Sequence, residues 1–312
     1  MTTIPVPELG PAKELRLPET AERTLTNGLT VIVVRRSSVP LVELRLRVPF
    51  GEAHVARSSV LTESLFSGTE TMSAVGLAAE LQTIGGALAA TADPDRLLVS
   101  GNALAPELPR MLNLLGEVLT GATYPAKEVA TERERLADRI RVALTQPSHL
   151  ARVALLKRVY GGHPYEVQAP EPEQVLAVRP AALKELHAKR IHPTGATLVL
   201  VGDLDLDRTL ELAEQGIASW DGGGKTVELP PIPALEPGPL RLVHREGSVQ
   251  SSLRLAFPGV PRVHPDHAAL QLANLVFGGY FSSRWVENIR EDKGYTYSPH
   301  SQIEHASAGT TV

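Results

Sequence analysis

Between residues 41 and 48 the chain reads Leu41-Val42-Glu43-Leu44-Arg45-Leu46-Arg47-Val48, with a polar side chain at every second position from Glu43 onward. A period of two marks a strand with one buried face and one wet face. Over residues 58–69 the period changes. Leu61 and Leu65, four apart, make a core-facing stripe, and Ser59 and Glu63, also four apart, share another face with Thr62 beside them. The pattern predicts a short amphipathic helix closed by Gly68. Two residues at that spacing are able to hold a metal. Upstream, Asn27-Gly28 stands between two β-rich runs and predicts a tight hairpin turn, and residues 5–20 read as an extended arm.

Further along, the patterning predicts a helix over 72–84 that stops at Gly85-Gly86, then strands over 87–95 and 96–103 around the turn Ala92-Asp93-Pro94-Asp95. Helices are predicted over 107–120, 127–144, 148–159 and 180–190, and a buried strand over 196–203 leads to a helix over 206–217. His163 reads as a loop histidine within a Gly-Gly-His-Pro-Tyr breaker, and Asp203 as a capping or turn residue. Residues 220–239, with Gly222-Gly223-Gly224 and prolines 230, 231, 233, 237 and 239, have the composition of a linker. The earlier order then restarts: strands over 240–243 and 251–257, a helix over 267–277, and Gly278-Gly279. A repeat of about 200 residues is too long for a solenoid and predicts a duplicated domain. The expected layout is a first domain over 1–219, a linker over 220–239 and an incomplete second copy over 240–312.

At 312 residues the chain is too long for one compact core, which agrees with two units. Its 43% hydrophobic and 21% charged residues are those of an ordinary globular protein. A net charge of −4 and a pI near 6.2 argue against nucleic acid or an anionic membrane as the main partner. The absence of cysteine excludes disulfides, thiolate metal sites and thiol nucleophiles, and it suits a reducing compartment. No signal-type start and no run of membrane-spanning length is visible, so the expected location is cytoplasmic.

The helix over 58–69 resembles that of the M16 peptidases, the insulinase and mitochondrial processing peptidase family, which reads His-x-x-Glu-His followed by Leu-Phe-x-Gly-Thr. Leu65, Phe66, Gly68 and Thr69 match the tail. Anchoring on them sets Ser59 and Glu63 at the two zinc histidines and Thr62 at the catalytic glutamate. The family's second metal-binding helix, Arg-x-x-Val-Leu-x-Glu-Ile, is similar to the run from Arg133 to Ile140, and sets Arg139 at the last zinc ligand, 139 − 63 = 76 positions after Glu63. All four positions are substituted. Two hydroxyls, one carboxylate and a guanidinium make a poor zinc set, and Thr62 has no carboxylate to take a proton from water. The expectation is that this chain holds no metal. A histidine exchanged for Glu63 and a glutamate for Arg139 would trade a metal bridge for an ion pair, so the two side chains are predicted to meet within about 4 Å.

A second resemblance lies in Gly278-Gly279-Tyr280-Phe281-Ser282-Ser283-Arg284-Trp285 and in the run from Arg290 through Gly294 to Tyr297, which is similar to the family's Arg-x-x-x-Gly-x-x-Tyr. In M16 enzymes this arginine fixes the substrate backbone and the tyrosine helps hold the developing oxyanion at a zinc site on another domain. Arg290 and Tyr297 are the matching pair, with Tyr295 the competing tyrosine. Forked guanidinium donors and a phenol suit those roles. Read without the family, the same residues are a helix-end arginine and strand tyrosines.

The resemblance implies an α+β fold in which each copy is a mostly antiparallel sheet with helices packed on one face. It also implies a non-catalytic subunit of a heterodimeric zinc peptidase: no cofactor of its own, and Arg290 and Tyr297 lent to the zinc of a catalytic M16 subunit acting on a peptide. A homodimer, an inactive scaffold subunit and a peptide-binding module are the other readings. For the last, residues 87–92 form a low-charge edge to which a peptide strand could add, or a plain edge strand of small residues.

Overall fold

The structure is a computed structural model describing residues 10, 14, 16–51, 53–167, 169–225 and 227–311. Most of the arm read over 5–20 lies outside the described residues. A six-stranded sheet organises the first two thirds of the chain. Its strands are β1 (Thr20–Thr24), β2 (Thr30–Arg35), β3 (Leu41–Pro49), β4 (Ala87–Ala92), β5 (Arg96–Leu104) and β6 (Thr197–Gly202), in the spatial order β1-β2-β6-β3-β5-β4. Every neighbouring pair is antiparallel except β2 with β6.

The alternation seen in residues 41–48 has a direct counterpart. Val42, Leu44, Leu46 and Val48 are buried while Leu41, Glu43 and Arg45 are exposed, so helices cover one face of β3. Those helices are α1 (Val55–Ser64), α2 (Ala74–Thr83), α3 (Leu108–Gly121), α4 (Ala126–Leu144), α5 (Pro147–Tyr160), the short α6 (Pro172–Leu176), α7 (Pro180–Arg190) and α8 (Leu206–Gly216). One core joins the inner face of the sheet to Val60, Leu61 and Leu65 of the α1 segment, Met111, Leu112 and Leu115 of α3, and Leu210 and Ala213 of α8. Asp203, read as a capping or turn residue, lies in the bend that follows β6 and does not cap the next helix. That role falls to Asp205, whose side chain accepts from the Arg208 amide at the start of α8.

Helix α7 carries a buried polar contact. His187 Nδ1 lies 2.7 Å from the Tyr124 hydroxyl, and its Nε2 lies 2.8 Å from the Leu119 carbonyl oxygen. With a neutral ring, Nε2–H donates to the carbonyl and Nδ1 accepts from the phenol. Burial pushes the His187 pKa down from its ordinary value. The unfolded chain then binds the proton more readily than the folded one. Stability is therefore full above the unfolded pKa of about 6.5 and falls as the pH drops below it toward the folded value. Urea unfolding followed from pH 7.5 to 5 is expected to show that loss, and His187→Gln to flatten it. An unchanged slope in the variant would place the proton elsewhere, His192 being shifted in the same direction by burial and Arg190.

After Trp220 the pattern differs from the expectation. The strands predicted over 240–243 and 251–257 are absent: no regular element forms among the described residues from 221 to 266. Leu240, Leu242, Leu253 and Leu255 are exposed. Alternation marks a segment able to pair, but a strand exists only with a neighbouring strand to bond, and these segments have none here. The predicted helix does form, as α9 (His267–Asn274), and a two-stranded hairpin of β7 (Glu304–Ala306) and β8 (Gly309–Thr311) follows.

That hairpin is fastened to the sheet end. Tyr165 Oη donates to Asp95 Oδ1 at 2.6 Å, the Ser307 amide donates to Asp95 Oδ2 at 3.1 Å, and the Ala308 amide donates to Tyr165 Oη at 3.0 Å. Asp95 sits in the β4–β5 turn, so the hairpin docks beside the end of the edge strand. His163, the loop histidine, is buried nearby with Nε2 2.8 Å from the Pro230 carbonyl oxygen.

Candidate functional site

Helix α1 begins three residues earlier than the pattern predicts, at Val55, and ends at Ser64. Gly68 follows with φ +137°, a conformation that L side chains avoid, and the Thr69 hydroxyl donates to Glu117 Oε1 at 2.5 Å, tying the tail to α3. The hydroxyls on the helix are turned inward on its own backbone. Ser59 Oγ donates to the Val55 carbonyl at 2.8 Å and Thr62 Oγ1 to the Ser59 carbonyl at 2.9 Å.

The predicted ion pair is present: Arg139 Nη2 of α4 lies 2.5 Å from Glu63 Oε1 of α1. The hydrogen bond to Glu63 is the main cause raising the Arg139 pKa above its ordinary value. The two helices pack against each other, so the spacing predicted from substituted metal positions is a real spacing in the fold. A zinc ion does not fit this donor set. The one carboxylate is engaged by a permanent cation, and the two hydroxyls donate to helix carbonyls. Among the described residues, no group of three or more His, Cys, Asp or Glu side chains is arranged to hold a metal.

The pair is half exposed, with 55% of the arginine and 34% of the glutamate side chain open to solvent, so its contribution is small. A double-mutant cycle with Glu63→Gln and Arg139→Gln is expected to give a coupling of about 0.5–1 kcal/mol, shrinking in high salt. Zero coupling at low salt would reduce the pair to a surface coincidence.

Arg290 and Tyr297, matched separately to the family motif, lie against each other in the fold. Residues Val286–Asp292 form a wide π-type turn, and Gly294 at φ +63° reverses the chain after it. The Tyr295 amide bonds back to the Ile289 carbonyl at 3.0 Å, and the chain bends at Tyr295 and again at Tyr297. The Arg290 guanidinium carbon then lies 4.2 Å from the centre of the Tyr297 ring. Tyr295, the competing tyrosine, makes no ring contact with Arg290 and is exposed. Two residues that sequence reasoning left without a role complete the picture. The Arg290 guanidinium carbon lies 4.7 Å from the Phe281 ring centre, and Glu291 Oε1 pairs with the guanidinium 3.2 Å from Nε. The exposed aromatic beside Gly278-Gly279 was the available signal for Phe281. Among the described residues, no hydrogen bond, ion pair or ring contact joins this cluster to the Glu63–Arg139 corner.

Comparison with known proteins agrees with both motifs. The model of the insulinase family, peptidase family M16, matches residues 58–173, and that of the peptidase M16 inactive domain matches residues 177–311. The chain belongs to the M16 peptidase family. It is 24% identical to an uncharacterized zinc protease, YmxG, of Bacillus subtilis, over 89% of this chain and 68% of that protein. It is 24% identical to the bovine mitochondrial cytochrome b-c1 complex subunit 1, over 85% of this chain and 56% of that one. The crystal structure of a peptidase M16 inactive domain from Pseudomonas fluorescens superposes with a TM-score of 0.85 at 25% identity, covering 94% of this chain and 73% of the other.

Proposed function

We propose that this chain is the non-catalytic subunit of a heterodimeric M16 zinc peptidase and supplies Arg290 and Tyr297 to the zinc site of a catalytic partner with an intact His-x-x-Glu-His helix. The observation that carries the reading is a contrast within one chain. The corner matching the metal positions is filled by the Glu63–Arg139 ion pair, while Arg290 and Tyr297 stand together in ring contact at the surface. Tyr280, Phe281, Tyr295 and Tyr297 are each at least 65% exposed, a concentration of aromatic surface that suits burial against another protein. Zinc belongs to the partner in this reading, and peptide is the substrate. Among the described residues no helix is long and apolar enough to cross a membrane, and the lack of cysteine favours a cytoplasmic setting.

The test is co-expression with a candidate catalytic subunit, followed by metal analysis of each purified chain. The expected result is about one zinc in the partner, none here, and peptide hydrolysis only by the complex. Zinc-dependent hydrolysis by this chain alone would end the proposal. A second reading, an inactive scaffold subunit, draws on the similarity to a cytochrome b-c1 complex subunit. It predicts assembly without any effect of Arg290 on catalysis.

A further inference from the structure

A guanidinium in contact with two aromatic rings is a more directional reagent than a free one. The Phe281 and Tyr297 ring centres lie 4.7 and 4.2 Å from the Arg290 guanidinium carbon, and Glu291 Oε1 forms an ion pair 3.2 Å from Nε. Among the described residues Nη1 and Nη2 have no hydrogen-bond partner. The Arg290 side chain is 22% exposed whereas both rings lie mostly in solvent, so the rings shelter the cation rather than themselves. Phe281 has no polar atom with which to act on a substrate. We propose that Phe281 is a positioning residue: it fixes the plane of the Arg290 guanidinium so that the free Nη edge meets a carbonyl oxygen of the substrate peptide backbone. This inference rests on Arg290 acting on a peptide, as proposed above. Without the second ring the guanidinium rotates and hydrates freely, and the donor edge must be ordered at each binding event.

Three variants separate face from volume: Phe281→Leu keeps apolar bulk without a π-face, and Phe281→Trp and Phe281→Tyr keep the face. The first readout uses this chain alone. Ring currents shift the Arg290 Nε–Hε resonance, assigned by its loss in Arg290→Lys; Phe281→Leu is expected to move it toward the free-arginine position while Trp and Tyr leave it displaced. The second readout uses the complex with a zinc-bearing subunit. There Phe281→Leu is expected to raise KM about fivefold with a smaller change in kcat, and Trp to restore it. Identical NMR behaviour of the Leu and Trp variants overturns the stack. A lost stack with unchanged kinetics, in a complex that Arg290→Ala impairs, overturns the positioning role. If Arg290→Ala leaves the complex unimpaired, the functional reading fails and the role of Phe281 fails with it, a result distinguishable because the NMR shift persists.

Discussion

In a complex with a zinc-bearing M16 subunit, Arg290→Ala is expected to lower kcat/KM for peptide hydrolysis by about 10²- to 10³-fold, the usual cost of removing one preorganised donor from a closed site. Tyr297→Phe is expected to fall in the same range, for a separable reason. The phenylalanine keeps the ring that lies 4.2 Å over Arg290 and removes only the hydroxyl. Tyr297→Leu removes both and should be the more damaging of the two. Arg290→Lys should rescue little, because a compact ammonium has no plane to lay against the rings and no forked edge. Steady-state kinetics of the four complexes at matched concentrations decide the matter. Wild-type values for both Arg290→Ala and Tyr297→Phe would remove these residues from any catalytic account and favour the scaffold reading.

Rebuilding the substituted corner should create a zinc site between α1 and α4. The triple variant Ser59→His, Glu63→His, Arg139→Glu places three nitrogen and oxygen donors on two helices whose side chains already meet at 2.5 Å. With free zinc at about a thousand times Kd, unfolding free energy should rise by about 4 kcal/mol, and chelation should remove the gain. Glu63→His alone should bind nothing, since Arg139 would still present a cation to the ion. Metal analysis after dialysis, paired with denaturant melts, gives the answer. A triple variant that folds yet retains no zinc would mean that the α1 and α4 backbones have drifted from the spacing the ion requires.

Much of the first two thirds was legible because its signals are local. The alternation around Leu44 gave β3, the four-residue spacing of Leu61 and Leu65 gave α1, the Gly85-Gly86 stop gave α2, and a leucine stripe gave α3, each within a few residues of its observed ends. The Glu63–Arg139 contact was legible for another reason. Two positions that relatives use for one ion must be neighbours in space, whatever side chains replace the ligands. The strands read over 240–243 and 251–257 failed because pairing is not local: Leu242 and Leu253 alternate correctly and still remain exposed without a bonded neighbour. The Asp95–Tyr165–Ser307 fastening was invisible for the same reason, joining residues 70 and 212 positions apart.

By itself, the order of residues placed most of the sheet strands and helices through Trp220, singled out Ser59, Thr62, Glu63 and Arg139 as substituted metal positions with Glu63 and Arg139 in contact, and pointed to Arg290 and Tyr297 as the matching pair. These follow from short-range periodicity, donor chemistry and motif resemblance, which need no coordinates. Only the tertiary structure decided that Phe281 meets Arg290 alongside Tyr297 and that the 304–311 hairpin docks on the β4–β5 turn. Each depends on where backbones distant in sequence come to rest. A guanidinium finds its ring or carboxylate only after the core has placed both within a few ångströms.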